Sequence, residues 1–228
     1  MAAGMTAGLV GLLHTVPGLV PTFDGLLDDA RPGLRRVHVA DAWLLSTAVA
    51  VGATDEVRRA VLAHVRHLVD VGAGAVLVTC SSIGEVADEV DGLVDVPVVR
   101  VDAAMADEAV ARAAGGSGSV TVLATLASTL GPTARLVERS ARAAGRQLAV
   151  EATVVEGAFD ARSARDLGRH DELVAQAARA AAARADVVVL AQASMAGAAA
   201  GAAPGVPVLS SPTSGVRRFL EVVDGRLP

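Results

Sequence analysis

Short apolar runs alternate along this chain with longer segments in which apolar residues recur every three or four positions. The first pattern is typical of buried parallel strands, and the second of helices that pack one face on a sheet. The clearest helix is predicted from Thr54 to about Val71, with one face formed by Val57, Val61, Val65 and Leu68. Strands are predicted over residues 6–13, 36–40, 75–79, 96–101, 120–123, 148–155, 186–190 and 206–209. This alternation indicates an α/β fold with parallel sheets flanked by helices.

The helices predicted between these strands begin and end at Gly, Pro and small polar residues. Their ranges are 21–30, 54–71, 105–114, 129–144, 171–184 and 215–223, with a further helix from about residue 83. Residues 157–170 are interpreted as a polar loop, so Asp171 is expected to cap the helix that it begins. The run 115–118, which is rich in Gly, is interpreted as a flexible linker between lobes.

The second half of the chain partly repeats the first. Three segments match in order and at nearly one offset: 10–15 with 120–125, 76–83 with 188–195, and 96–99 with 206–209. The repeat predicts two similar lobes, related by a pseudo-twofold axis, with the active site in the cleft between them. The first lobe would comprise residues 1–103 and 212–228, and the second residues 104–211. Cys80 in the first half corresponds to Gln192 in the second.

Candidate functional residues lie where the predicted strands end, because ligands of parallel sheets bind outside the carboxyl ends of the strands. The strand over 75–79 leads to Cys80, the single cysteine of the chain, which Ser81 and Ser82 follow. A thiol at a strand end beside two hydroxyls is a candidate base or nucleophile. Other strands lead to His14, Thr15, Asp41, Thr125 and Gln192.

Several of these residues also have a purely structural interpretation. Cys80 is equally a candidate core thiol, His14 a candidate turn histidine, and Asp41 a candidate cap for the segment after it. His64 and His67 are three residues apart, but no further ligand lies at zinc-site spacing, so no metal site is predicted.

Composition excludes several kinds of chemistry. The chain has no Lys, which excludes Schiff-base catalysis and a Walker-type phosphate loop. A net charge of −5 and only 2% aromatic residues argue against nucleic-acid binding. A single cysteine excludes an internal disulfide. Neither of the apolar stretches 9–20 and 195–205 resembles a signal peptide or a membrane span, so we expect a cytoplasmic protein without a membrane partner.

Several motifs resemble those of the aspartate/glutamate/hydantoin racemase superfamily, and the resemblance covers essentially the whole chain. They lie at residues 79–84 (TCSSIG), 123–125 (LAT), 130–133 (LGPT), 190–195 (LAQASM) and 207–212 (PVLSSP). The resemblance implies a two-lobed α/β fold without a metal or an organic cofactor, whose last helix packs back on the first lobe. It also implies a small carboxylate as substrate, and a dimer is a common assembly in the superfamily.

In such enzymes two cysteines flank the α-carbon of the substrate: one thiolate removes a proton and the other thiol delivers one to the opposite face. Cys80 matches the first cysteine, and the positions that match carboxylate-binding residues are Ser81, Ser82, Thr125 and Ser194. Gln192 replaces the second cysteine, and an amide has no usable acid or base near neutral pH. His170 is therefore a candidate for the missing second acid.

The resemblance thus predicts a cofactor-independent racemase or isomerase that acts on a small amino- or hydroxy-carboxylate by proton transfer to a cysteine thiolate. A one-thiol lyase, a decarboxylase or a maleate-type cis–trans isomerase is the alternative among enzymes. A non-catalytic protein that binds small carboxylates on the same scaffold is the alternative from another class. Cys80 and His170 are the predicted catalytic residues, and the predicted substrate contacts are His14, Thr15, Asp41, Ser81, Ser82, Thr125, Gln192 and Ser194.

Overall fold

The computed structural model describes residues 8–199, 202–203 and 205–225, and these contain two four-stranded parallel sheets. The strands of the first sheet are β1 (Val10–His14), β2 (Arg36–Ala40), β3 (Val76–Val78) and β4 (Val98–Arg100). Those of the second are β5 (Ser119–Ala124), β6 (Ala149–Val154), β7 (Val187–Leu190) and β8 (Val208–Ser210). Their orders are β2-β1-β3-β4 and β6-β5-β7-β8. The predicted α/β fold is confirmed.

Helices flank both sheets. Those in the first part of the chain are α1 (Val20–Ala30), α2 (Ala42–Val51), α3 (Asp55–Asp70) and α4 (Gly84–Asp91). Those that follow are α5 (Ala103–Ala113), α6 (Ala127–Ala143), α7 (Ala158–Ser163), α8 (Leu167–Ala182) and α9 (Ser211–Val223). None of the helices in the described ranges combines the length and the apolar character that crossing a bilayer requires.

The described residues form two compact units. The first takes the residues up to Val101 and those from Gly215 onwards, and the second is Asp102–Ser214. The strands that match in the sequence repeat are β1 with β5, β3 with β7 and β4 with β8, and each pair holds the same position in its sheet. The repeat is therefore a repeat of topology. The end of α9 belongs to the first unit, where the Arg31 side chain pairs with Asp224.

Helix α3 shows how the apolar pattern builds the first unit. The Thr54 hydroxyl caps it by accepting a hydrogen bond from the backbone N–H of Val57. The predicted face is confirmed, because Val57, Val61, Val65 and Leu68 are all fully buried against the first sheet's core. β1 approaches this helix so closely that a Cβ on Gly11 would lie 3.1 Å from the Leu68 Cβ.

The prediction of a polar loop over 157–170 was wrong, because this segment contains α7 and the start of α8. The carboxylate of Asp166 accepts the backbone N–H of Arg169, so Asp166 caps α8 and Asp171 lies inside the helix. The competing sequence signal was real, since both positions are Asp near a helix start. Asp166 lies at the true boundary, where the backbone N–H groups of the first turn are unpaired.

The run 115–118 does not link two lobes, because it lies inside the second unit between α5 and β5. It is held as a turn by the carboxylate of Asp186, which accepts hydrogen bonds from Ser117 and Ser119.

Helix α2 was not predicted at all. Its sequence is apolar almost throughout, so it lacks the periodicity that marks a helix, and it exposes 40% of Trp43. Residues 6 and 7 of the first predicted strand lie outside the described residues.

Candidate active site

Cys80 lies just beyond β3 and leads into a short 3-10 turn, Ser81–Ile83, which continues as α4. Burial raises the pKa of the Cys80 thiol. The Thr15 side chain, the backbone N–H groups of Ser82 and Ile83 and the Ser82 side chain act in the opposite direction, because they form hydrogen bonds that stabilise a thiolate. Cys80 itself is half-buried. Burial is the larger effect, so the pKa of the thiol is raised overall, and the donors offset only part of that rise.

Two buried hydroxyls lie at the same strand ends. Thr15 is 2% exposed and Ser81 is 5% exposed. The Ser81 hydroxyl has no hydrogen-bond partner among the described residues, and the Thr15 hydroxyl has none beyond its interaction with the thiol. Leaving a buried hydroxyl unpaired costs about 1–3 kcal/mol, so the Ser81 hydroxyl is suited to pair with an oxygen of a bound ligand. The Thr15 hydroxyl can do the same when it turns away from the thiol.

The second unit repeats this arrangement with a different side chain. The Gln192 Oε1 atom accepts the backbone N–H of Thr125 at 2.6 Å and its hydroxyl at 2.9 Å. Thr125 and Gln192 correspond in the repeat to Thr15 and Cys80. The strand-end pair is therefore kept in both units, but in the second unit both Thr125 donors are already bound to the amide oxygen. Ser194 lies two residues further, half-buried in a 3-10 turn.

His14 is the last residue of β1 and is fully buried. Its Nδ1 lies 3.0 Å from the Thr79 hydroxyl and its Nε2 lies 2.9 Å from Nδ1 of His38. Burial and the nearby His38 lower the pKa of His14 to about 4, although Asp24 acts in the opposite direction. Both ring nitrogens are thus bound to protein groups rather than presented to a ligand.

Asp41 serves a helix rather than an open site. One carboxylate oxygen accepts the backbone N–H of Trp43 and caps α2, and the other lies 2.8 Å from Nε2 of His64. The structural interpretation of Asp41 as a cap is therefore the one that the geometry supports. No group of three or more potential metal ligands occurs in the described part of the chain.

His170 lies in the first turns of α8 with its side chain fully buried. Its Nδ1 lies 2.8 Å from a carboxylate oxygen of Asp171, and its Nε2 has no partner among the described residues. A carboxylate at Nδ1 holds the proton on that atom, which leaves Nε2 as the reactive nitrogen of the neutral ring. The pair has the chemistry of an oriented acid or base.

Sequence reasoning missed two sets of polar contacts in the first unit. His38 and Asp24 extend from His14 toward the surface, and Arg100 is a buried residue whose guanidinium pairs with Asp88 at 2.7 Å. The available signal was the position of His14 and His38 on two neighbouring parallel strands, where their side chains meet. Nothing in the local sequence indicated that Asp24 of α1 would complete the group.

The sequence matches the model of the Asp/Glu/Hydantoin racemase family over residues 3–219. The chain belongs to this family. Membership supports an enzyme of the racemase and isomerase superfamily. Membership of this family suggests that the substrate is a small carboxylate. A search of curated proteins finds no match to this chain.

Solved structures show the same fold at low identity. A glutamate racemase from Bacillus anthracis is 15% identical with a TM-score of 0.74, over 96% of this chain and 82% of that one. An aspartate racemase from Picrophilus torridus is 14% identical with a TM-score of 0.68, over 95% and 94%. A mutant of arylmalonate decarboxylase is 20% identical with a TM-score of 0.60, over 96% and 94%. The fold is thus shared by proteins with different reactions.

Proposed function

We propose that this racemase-family protein is a cofactor-independent enzyme in which the Cys80 thiolate moves a proton at the carbon next to a carboxylate. Its substrate would be a small amino- or hydroxy-carboxylic acid. The observation that carries the proposal is the surroundings of Cys80, where hydrogen bonds from Thr15, Ser82 and Ile83 stabilise a thiolate and offset part of the effect of burial. An inert core thiol has no need of such donors.

The proposed step is a proton transfer from the α-carbon of the substrate to the Cys80 sulfur. The α C–H bond breaks, an S–H bond forms at Cys80, and the electron pair is left as an enolate that spreads into the substrate carboxylate. The Ser81 hydroxyl is unpaired in the described structure, and the Thr15 hydroxyl is released once the thiolate has taken up the proton, so both are suited to hold the carboxylate oxygens as this charge develops. We therefore assign the carboxylate to Thr15, Ser81 and Ser82 rather than to His14 or Asp41, whose polar atoms are engaged elsewhere.

His170 is proposed as the second acid. Its Nδ1 is held by Asp171, and its buried Nε2 has no partner in the described structure, so the ring is prepared to exchange a proton at that nitrogen. If His170 delivers the proton, the product is inverted. If the Cys80 thiol instead exchanges its proton with solvent and then protonates the same face, the substrate gains solvent hydrogen but keeps its configuration.

A second candidate is one-thiol decarboxylation. Gln192 occupies the position of the second thiol. Its amide oxygen accepts two hydrogen bonds from Thr125, so the side chain is held in a defined position. In this reaction a C–C bond breaks to release CO₂, and the Cys80 thiol then protonates the carbanion. Arylmalonate decarboxylase shares this fold.

A homodimer and a cytoplasmic location are further parts of our proposal.

The test is hydrogen exchange in deuterated solvent. The protein is incubated with a panel of small amino-, hydroxy- and malonic acids, and proton NMR follows loss of the α-proton, inversion and release of CO₂. We expect exchange that falls about 100-fold or more in Cys80→Ser, the range for losing a general base. We expect His170→Asn to abolish inversion and to preserve exchange.

Three outcomes separate the alternatives. Exchange without inversion in the unmodified protein supports a reaction that needs only Cys80. Release of CO₂ from malonic acids supports the decarboxylase. Absence of any turnover, together with carboxylates that still raise the melting temperature, would refute the enzyme and support a binding protein.

A further inference from the structure

His14 and Thr79 form a contact directly beside the Thr15 and Cys80 pair. β1 and β3 are neighbours in the sheet, and the backbone N–H of Thr79 donates to the carbonyl of Leu13 at 3.0 Å. At this level the Thr79 hydroxyl lies 3.0 Å from His14 Nδ1 and 3.2 Å from the Leu13 carbonyl. Thr15 directly follows His14 in the sequence, and Cys80 directly follows Thr79. Any change at the His14 contact is therefore one residue from the thiol.

The contact continues to the surface through two more side chains. His14 Nε2 lies 2.9 Å from His38 Nδ1, and the two rings stack with centroids 5.2 Å apart. His38 Nε2 lies 3.2 Å from Oδ1 of Asp24. The exposed fraction of the side chain rises from 18% at His38 to 36% at Asp24. A continuous hydrogen-bonded path thus joins a fully buried strand end to solvent.

The neutral pair has only one consistent set of protons. An ionised Asp24 only accepts, so His38 Nε2 must donate, and the other nitrogen of a neutral ring must then accept. His14 Nε2 therefore donates to His38, and His14 Nδ1 must accept. Within the described part of the chain, the donor at this nitrogen is the Thr79 hydroxyl, which then points at His14.

One additional proton reverses this set. A doubly protonated His38 donates from Nδ1, so His14 Nε2 must accept and His14 Nδ1 must donate to Thr79. The Thr79 hydroxyl then turns to its other acceptor, the Leu13 carbonyl. A second proton on the pair is disfavoured, because two stacked imidazolium rings would repel and His14 is fully buried. The group is therefore a two-state element.

We propose that His14 and His38 are positioning residues for Cys80: the proton that the pair carries decides where the Thr79 hydroxyl points and favours the thiolate of Cys80. The charged groups around the pair are Asp24 and Asp28 on α1 and Arg36 on β2. Arg36 binds both carboxylates, while Thr79, which directly follows β3, does not titrate. A positive charge within the same unit lowers the cost of forming a thiolate.

Cys80 is the single cysteine, so alkylation by iodoacetamide reports on this thiol alone. The rate is measured from about pH 5 to about pH 9, a range that includes histidine titration. We expect the unmodified protein to react faster at the acid end than a single thiol titration allows. In Asp24→Asn the alkylation rate at the acid end should fall by about threefold or more, which corresponds to a change of half a pKa unit. His38→Phe, which keeps the stacked ring, should do the same.

Asp28→Asn is the matched control, because Asp28 lies on the same helix and binds Arg36 without touching either histidine. Its profile should superimpose on that of the unmodified protein. A second readout is the histidine ring spectrum from long-range proton–nitrogen NMR. We expect His14 to carry its proton on Nε2 at alkaline pH and on Nδ1 once His38 is charged, a change that a purely structural role would not produce.

Identical alkylation profiles in Asp24→Asn and the unmodified protein would overturn the inference, as would a His14 tautomer that stays the same across the titration. The relevance of this control to catalysis rests on the proposed function of Cys80. The two failures remain distinguishable, because alkylation and the ring spectrum require no substrate, whereas the exchange assay requires one.

Discussion

At the scale of single residues, the two strand-end pairs show how one change of side chain alters the chemistry of a site. In both units a threonine hydroxyl contacts the second residue after the third strand of the sheet. In the first unit that residue is Cys80, whose pKa is raised by burial and lowered by nearby donors. In the second it is Gln192, whose amide oxygen accepts both donors of Thr125. The thiol of the first pair can accept and release a proton, whereas the amide of the second pair has no usable acid or base near neutral pH.

Asp186 supplies a prediction at this scale. Hydrogen bonds from the backbone N–H groups of Ser119 and Ser117 lower the pKa of this carboxyl from 3.8 to about 2. A depressed pKa means that the native state prefers the ionised form, so the stabilisation is present above about pH 4 and is lost as the pH falls toward 2. The free energy of unfolding should therefore drop in Asp186→Asn near neutral pH, and the difference should shrink on acidification.

Urea unfolding at a series of pH values from about 6 to about 3 measures this difference. Asp95→Asn is the control, since Asp95 is exposed. A difference between Asp186→Asn and the unmodified protein that is constant over this range would contradict the prediction. Carbon NMR of the Asp186 carboxyl gives the titration directly.

At the scale of elements, α4 begins immediately after the Cys80 turn and must fit beside a buried arginine. A Cβ on Gly84 would collide with the guanidinium of Arg100, which is 4% exposed and paired with Asp88. A buried, paired guanidinium has little freedom to move aside. Gly84 is therefore required for close packing and not for an unusual backbone angle, since its φ of −62° suits any residue.

We expect Gly84→Ala to lower the free energy of unfolding by about 1–3 kcal/mol, the usual cost of overpacking. Gly25→Ala is the matched control, because Gly25 lies inside α1 with nothing near its Cβ position. That change should raise stability by about 0.5–1 kcal/mol, the gain in helix propensity. Chemical denaturation of both variants compares them. Equal gains would show that Arg100 yields readily and would refute the packing argument.

At the scale of the whole molecule, the repeat gives each unit the same order of strands and places Cys80 and Gln192 at equivalent strand ends. Two-thiol racemisation requires a thiol at both positions. We therefore expect Gln192→Cys to gain or increase inversion of a substrate that the unmodified protein exchanges. Polarimetry or chiral chromatography of the product measures this gain.

Gln192→Met is the control for this prediction, since methionine has a similar volume but no ionisable proton. Both variants lose the hydrogen bonds to Thr125, so a difference between them isolates the thiol. Equal inversion by both would mean that loss of the amide, rather than gain of a thiol, is responsible. Failure of both to fold would be visible as loss of the cooperative melting transition.

Prediction from sequence succeeded where local patterns were strong. The buried face of α3, its Thr54 cap and the position of Cys80 after β3 all follow from apolar spacing and from capping chemistry. It failed at α2, whose nearly uniform apolar sequence has no period, and at the start of α8, where two aspartates compete as caps. The partners of His14 were also beyond it, because they lie on other elements.

The amino-acid sequence by itself determined the order of the strands and of most helices, the half-chain repeat, the family and the replacement of the second cysteine by Gln192. Periodicity, caps and motifs are local, so they can be seen without coordinates. Only the tertiary structure decided which polar atoms pair. It placed Thr15 at Cys80, occupied Thr125 with Gln192 and joined His14 through His38 to Asp24. Such pairings depend on contacts between distant segments, which packing alone establishes.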